Sequence, residues 1–297
     1  MISLTTIENA AMQTARLAVE RIANMPFDRQ SGDFEKDGIL YCGKCGEARQ
    51  AWIEWFPDED GNPQKKLVRV MCRCDIEKEQ REKEIQAEAD FRDAMRRINL
   101  ALHTEPKDIR WRFEQDDSPS NPVSKTCRKY VDQWGEMKSG NLGILFYGSK
   151  GNGKSFYASC IYNALLEKRV TVGYISTVSL MNILGKWDKT EIMDAITRVK
   201  LLVLDDLGAE RDTSYSAELL YSVIDARYRT QLPTIVTTNF AIADMEAEED
   251  IWRSRIYDRI IEMCPIAIRM EGKSRRAAIS DERKRKAREL LREVKSP

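Results

Sequence analysis

Residues 148–155 read GSKGNGKS and follow the apolar run Gly143-Ile144-Leu145-Phe146-Tyr147. This is the full G-x-x-x-x-G-K-[ST] phosphate-loop pattern, reached from a buried-type strand and leaving into a helix-compatible segment. Such a loop turns successive backbone N–H groups toward the β- and γ-phosphates of a nucleotide, and the following helix adds the positive end of its dipole. Gly148, Gly151 and Gly153 carry no Cβ to obstruct the turn. With Ser149, Lys150 and Asn152 between them, they make up the expected ATP-holding run. Lys154 would place a point charge on the β/γ oxygens, and the Ser155 hydroxyl would take one Mg²⁺ position.

A second cluster of oxygen chemistry follows. Leu201-Leu202-Val203-Leu204-Asp205-Asp206 is an apolar run ending in two carboxylates. A parallel strand buried on both faces has this composition, and its C-terminal end opens onto the ligand crevice of an α/β sheet. Asp205 there can hold Mg²⁺, and Asp206 can orient or deprotonate an attacking water. A third strand, Pro233 to Thr238, ends at Asn239, whose amide could hydrogen-bond the γ-phosphate or the lytic water.

Four of the seven cysteines form a different centre. Cys42 and Cys45 make a C-x-x-C pair, and Cys72 and Cys74 a tighter C-x-C pair, separated by a strand-turn-strand pattern around 58–63. Four thiolates in this arrangement fill a tetrahedral Zn²⁺ shell, which implies a structural zinc ribbon rather than a catalytic metal. A redox C-x-x-C and four unpaired thiols are the alternatives. The segment is too small to build an adequate core without a staple, which favours metal. Cys127, Cys160 and Cys264 read as small buried hydrophobes. The single histidine, His103, lies in a polar connecting region away from the cysteines.

Elements to position these residues can be placed by pattern. Residues 3–24 have helical apolar spacing, ended by Pro26, and residues 75–100 form a highly charged helix with pairs such as Glu79–Lys83. Pro106, Pro119 and Pro122 mark a loop-rich lead into the nucleotide domain, followed by a helix over 126–138. A helix over 155–168 and a strand over 170–175 continue the alternation of a parallel sheet. The chain has 48 basic and 48 acidic side chains, so a nucleic-acid site must be local rather than a global field. Residues 269–297 hold eleven basic and five acidic side chains. No apolar run approaches a membrane span and no signal-peptide core opens the chain, so a cytoplasmic location and no membrane partner are expected.

The order GSKGNGKS, LLVLDDLGAE, DARYRTQLPTIVTTN, SRIYDRI and EGKSRR resembles the AAA+ ATPases of the DnaC/DnaI helicase-loader group and the related IstB transposition helpers. The likeness covers roughly residues 110–276. It implies an α/β AAA+ P-loop core with a parallel sheet and no separate lid domain, preceded by a small α plus zinc-ribbon domain. The expected organisation is 1–74 for the partner-binding domain, 75–109 for a linker helix, 110–276 for the ATPase and 277–297 for a basic tail. By resemblance, Asn239 is the first sensor, Arg276 the second, and Arg259 the arginine finger that reaches a neighbouring subunit's ATP. Arg255 shares the helix face of Arg259 and is the alternative finger. Asp206 stands where many AAA+ proteins have Glu, which leaves Glu210 as a second candidate for water activation.

The resemblance further implies ATP hydrolysis with Mg²⁺, self-assembly through the ATP sites, a DnaB-type ring helicase as partner, and single-stranded DNA. Ser179, Asn182, Lys186, Trp187 and Lys189, between the strand over 170–175 and the Asp205-Asp206 strand, are the candidate DNA contacts, with Trp187 either a stacking face or a core residue. An IstB-type helper that binds target DNA and recruits a transposase is the alternative function. The long N-terminal region favours the loader.

Overall fold

Asp37 and Gly38 both take positive φ, 55° and 70°. That is the geometry of a two-residue primed turn, and it joins β1 (Phe34–Lys36) to β2 (Ile39–Tyr41) as a small hairpin. The computed structural model describes residues 29–58, 60–105, 107, 109–185, 189–210, 213–271 and 283–291. The expected helix over 3–24 with Pro26, Pro106, Lys186, Trp187 and Arg276 lie outside the described residues. The chain divides into two units, Met1–Ala89 and Asp90–Pro297.

In the first unit, β3 (Gln50–Trp55) and β4 (Gln64–Arg69) form the antiparallel hairpin expected between the cysteine pairs, with Gln50 opposite Arg69 and Trp55 opposite Gln64. Trp52 and Ile53 on this hairpin are exposed, so it encloses little apolar area. The charged helix α1 (Arg73–Ala101) begins at the second cysteine pair, and Lys83 and Glu79 pair at 2.5 Å along it.

The second unit opens with a difference from expectation. In place of one helix over 126–138 there are two, α2 (Pro122–Asp132) and α3 (Trp134–Ser139), with Gln133 as the junction. Pro122 starts α2 because the first helical position needs no N–H, and the Asn121 side chain accepts from the Val123 N–H at 2.9 Å. The chain then alternates: β5 (Ile144–Tyr147), α4 (Lys154–Glu167), β6 (Val172–Ser176), α5 (Thr177–Leu184), α6 (Lys189–Arg198), β7 (Leu201–Leu207), α7 (Ser214–Thr230), β8 (Thr234–Thr238), α8 (Ile242–Glu246), α9 (Ile251–Met263) and β9 (Ile266–Arg269). A further helix covers 283–291.

The five core strands pair in the order β6-β7-β8-β5-β9, parallel throughout. This is the parallel α/β P-loop sheet expected of an AAA+ core. Alternate residues feed opposite faces. Leu202, Leu204, Val236 and Leu145 pack with α5, α6, α7 and α9, while Leu201, Val203, Ile235, Ile144 and Phe146 pack with α2 and α4. Because both faces are covered, β7 and β8 are apolar or hydroxyl-bearing along almost their whole length. The P-loop strand therefore lies inside the sheet, between β8 and β9, where its C-terminal end is held on both sides.

Candidate nucleotide site and cysteine cluster

Gly148 and Gly153 take φ of 116° and 95°, a region that L side chains rarely adopt, and Gly153 is the N-cap of α4. The loop thus turns directly from β5 into a helix N-terminus. Lys154 is buried, and its Nζ donates to the Gly148 and Ser149 carbonyls at 2.8 Å each and to Asn239 Oδ1 at 2.9 Å. The P-loop lysine and the residue that ends β8, remote in sequence, are in direct contact. Asn152 steadies the outer part of the loop, donating to Ser149 Oγ at 2.7 Å and to the Met270 carbonyl at 3.2 Å.

Beside this loop, β7 carries a bulge. Leu204 pairs with Val236 and Leu207 with Thr238, so Asp205 and Asp206 together oppose the single residue Thr237. Asp206 takes φ of 55°. Its N–H donates to Thr237 Oγ1 at 2.9 Å, and its carbonyl accepts from Thr177 Oγ1 at 2.8 Å. The Thr237 hydroxyl donates to Asp205 Oδ1 at 2.6 Å. Asp205 is buried, whereas Asp206 is half-buried and lines a cavity of about 650 Å³ with Lys150, Gly151, Gly153, Lys154, Ser155 and Asn239. Glu210 lies elsewhere: its Oε2 accepts from the Gly208 N–H at 2.9 Å, and it lines a separate small pocket with Arg253 and Tyr257. The Ser155 hydroxyl and the Asp205 carboxylate are hard oxygen donors of the kind Mg²⁺ takes.

The far wall of the cavity was not visible in the sequence. It is formed by Arg110, Trp111, Gln115, Asp117 and Phe156. The Trp111 and Phe156 rings lie 5.7 Å apart, and the Arg110 guanidinium sits 4.4 Å over Trp111. Two buried polar residues of α4 hold this wall. Asn163 Nδ2 donates to the Ile109 and Trp111 carbonyls at 2.6 and 2.8 Å, and Ser159 Oγ accepts from the Trp111 N–H at 3.1 Å. A phosphate-binding loop, two carboxylates, an amide and an aromatic wall around one cavity make a nucleotide-sized site. A family profile described as IstB-like ATP binding protein matches residues 75–283. The chain belongs to that family.

Two relatives are replicative helicase loaders by name. The chain is 26% identical over 147 residues to the replicative helicase loader DnaC of Escherichia coli (strain K12), covering 47% of this chain and 57% of the relative. It is 29% identical over 161 residues to the replicative helicase loader DnaI of Bacillus subtilis (strain 168), covering 50% of this chain and 51% of the relative. The chain thus spans little more than half the length of these curated relatives. Among solved structures, one of DnaI aligns at a TM-score of 0.48 with 22% identity, over 58% of this chain and 94% of that one. One of the DnaC helicase loader aligns at 0.48 with 23% identity, over 56% and 100%.

Arg259, the expected arginine finger, lies on α9. It is outside the cavity lining. Its Nη2 pairs with Asp225 Oδ1 on α7 at 2.7 Å, and its guanidinium lies 4.5 Å from the Tyr221 ring centre and 5.6 Å from that of Tyr228. Its Nη1 is buried with no hydrogen-bond partner among the described residues. Arg255, the alternative finger, lies 6.0 Å over Trp252. Of the candidate DNA contacts, Ser179 donates its N–H at 3.2 Å to Oγ of Ser176, the N-cap of α5, and Asn182 and Lys189 are exposed. No helix among the described residues is long and apolar enough to cross a membrane.

The cysteine cluster precedes the residues that the IstB-like profile covers. Cys42, Cys45, Cys72 and Cys74 have their Sγ atoms all within 4.8 Å of one another. A tetrahedral Zn–S shell of about 2.3 Å radius puts its sulfurs about 3.8 Å apart, so the donor set fits a zinc ion. The first pair sits on a tight turn closed by the Gly46 N–H to the Cys42 carbonyl at 2.8 Å, and the second at the start of α1, whose dipole favours thiolate. The backbone hydrogen bond at Glu47 pulls the Cys45 thiol down to about 7, while burial pushes Cys72 up to about 12. A divalent cation is what allows four such thiols to ionise together. His103 is not part of this cluster. Cys127, Cys160 and Cys264 are buried in the second unit.

Proposed function

We propose that this chain is an ATPase that loads a ring-shaped, DnaB-type replicative helicase onto single-stranded DNA. The observation that carries the nucleotide part is the contact of Lys154 with Asn239 at the cavity that Asp206 and Ser155 also line. The P-loop amides and the α4 N-terminus bind the β- and γ-phosphates, and Lys154 exchanges its loop carbonyls for phosphate oxygens. Ser155 and Asp205 would hold Mg²⁺, which would supply positive charge against the phosphates. Asp206 orients the attacking water and takes its proton, and Asn239 reports the γ-phosphate through the same amide that now accepts from Lys154. Trp111 and Phe156 face the nucleoside. Arg259 is the finger for a neighbouring subunit's ATP, which makes turnover depend on assembly, and Arg276 is the second sensor. The loader role is supported by the names of the two relatives.

Residues 1–74 are the helicase-gripping domain, in which Cys42, Cys45, Cys72 and Cys74 would hold Zn²⁺, with 75–109 as linker, 110–276 as ATPase and 277–297 as basic tail. Single-stranded DNA runs along α5 and α6, past Ser179, Asn182 and Lys189, with Lys186 and Trp187 between them.

Phosphate release and binding of a fluorescent ATP analogue test the site. Lys154→Ala is expected to abolish nucleotide binding. Asp206→Asn is expected to keep binding and to lower turnover roughly 10²–10⁴-fold, the size of a lost general base. Retained turnover in Lys154→Ala defeats the assignment. A neutral Asp206→Asn beside a dead Glu210→Gln moves water activation to Glu210. Copurification with a hexameric helicase supports the loader, whereas copurification with a transposase supports the IstB-type alternative.

A further inference from the structure

Two residues of β7 face one residue of β8 at the bulge, and that one residue is a threonine whose hydroxyl serves both of them. Thr237 is fully buried. Its Oγ1 accepts from the Asp206 N–H at 2.9 Å and donates to Asp205 Oδ1 at 2.6 Å, so donor and acceptor capacity are both used. Thr177, also fully buried at the start of α5, donates to the Asp206 carbonyl at 2.8 Å. Both backbone polar groups of Asp206 are therefore held by side-chain hydroxyls from other elements. That support matters because Asp206 has φ of 55°, which costs a non-glycine residue roughly 1–2 kcal/mol.

A bulge next to a site re-aims a side chain. Without it, consecutive residues of β7 would point to opposite faces of the sheet. Here Asp206 is directed into the phosphate-loop cavity while Asp205 stays buried beside Thr237. We propose that Thr237 is the positioning residue of the ATPase site: it fixes the Asp205 carboxylate for Mg²⁺ and, with Thr177, holds the bulge that aims Asp206 at the water. This rests on the ATPase reading above. Thr237 touches neither nucleotide nor metal itself. It acts on the metal through the orientation of a carboxylate, an outer-shell effect that typically changes metal affinity about 10–100-fold.

The experiment is a Mg²⁺ titration of fluorescent ATP-analogue binding by the full chain, with the EDTA value as baseline and phosphate release alongside. In Thr237→Val, the Mg²⁺ midpoint is expected to rise roughly 10–100-fold while the EDTA baseline affinity stays within about twofold. Thr237→Ser, which returns the hydroxyl, is expected to recover most of that loss. A wild-type Mg²⁺ midpoint in Thr237→Val overturns the proposal, as does a loss of baseline affinity as large as the Mg²⁺ effect. Thr177→Val gives a second test on another element, and carries it alone should Thr237→Val not fold. It is expected to keep the Mg²⁺ midpoint and to lower turnover at least tenfold, and unchanged turnover overturns the proposal. If wild-type binding is indifferent to both Mg²⁺ and Lys154→Ala, the ATPase reading itself has failed, before any threonine variant is considered.

Discussion

Among the described residues, each of the two units buries one arginine almost completely, and the two settle its charge by different means. In the first unit Arg49 lies between carboxylates, donating to Asp33 Oδ2 at 2.6 Å and to both Asp75 oxygens at 2.9 and 2.8 Å. Burial works against its charge, and the two carboxylates outweigh burial and raise its pKa. In the second unit Arg227, on α7, pairs with no carboxylate among the described residues. It donates to the Ile196, Val199, Lys200 and Pro233 carbonyls and to Thr234 Oγ1. Burial pulls its pKa down to about 9, and the carbonyls at the end of α6, negative by the helix dipole, favour the cation in return.

The difference follows from what surrounds them. Among its described residues, the first unit has two short hairpins with exposed Trp52 and Ile53, and only a handful of buried apolar side chains. Its segments are tied by the ion triad and the cysteine cluster, both of which join the region before β3 to the start of α1. The second unit has apolar cores on both faces of its sheet, and Arg227 adds specificity to contacts that area already favours. One region is stapled, and the other is packed.

Metal removal should separate them most sharply. A chelator is expected to unfold residues 29–89 completely while leaving ATP-analogue binding by the second unit within about twofold, because structural zinc supplies on the order of 10 kcal/mol to small domains. Tryptophan emission from Trp52 and Trp55 reports the first unit, and analogue binding reports the second. A first unit that keeps its emission after metal analysis reads zero would sink the staple.

Next in size is the same substitution made in both regions. Arg49→Met leaves Asp33 and Asp75 without their cation and should destabilise the first unit by about 3–5 kcal/mol. Arg227→Met leaves four carbonyls and Thr234 short of a donor and should cost the second unit about 2–4 kcal/mol. Denaturant melts with the two reporters should show each loss in one transition only. If Arg227→Met is neutral, the buried charge is no more than tolerated, and the core owes nothing to it.

Much of this contrast was legible in the residues, and the misses have physical causes. The P-loop, Asp205-Asp206 and Asn239 announce themselves by type and position, and strand burial on both faces brings them to one sheet edge. The cysteine spacing likewise points to one cluster. The Asp37-Gly38 turn carried the usual hairpin signal and could have been found, and Pro122 marks a helix start rather than a loop. Arg227 sits among charged neighbours in DARYRT, where a helix-surface residue and a buried one look alike until the helix is docked. The bulge at Asp206 depends on hydroxyls of Thr177 and Thr237, which are remote in sequence. No local pattern encodes that pairing. Arg110 and Trp111 reach the cavity because Ser159 and Asn163 hold their backbone, again a long-range contact.

Arg259 falls between the two buried arginines, and it yields the smallest effect. It has a single carboxylate, Asp225, which is shared with Arg229 at 2.8 Å, and two tyrosine faces instead of a full set of acceptors. Its side chain keeps 24% exposure, and its Nη1 is buried without a hydrogen-bond partner. Such a residue is held in place yet undersatisfied, so little free energy separates this seat from another anion. A partly exposed ion pair of this kind contributes about 0.2–1 kcal/mol. If Arg259 must leave Asp225 to reach a neighbouring subunit's phosphate, Asp225→Asn lowers the barrier by that amount. Turnover at fixed protein concentration should then rise about 1.4- to fivefold, with analogue binding unchanged. Arg259→Ala should remove any dependence of specific activity on protein concentration. A rise in Asp225→Asn that persists in the double variant would show that Asp225 acts on something other than Arg259. Equal, concentration-independent turnover in all three would place Arg259 with Arg227, as a residue that belongs to the fold.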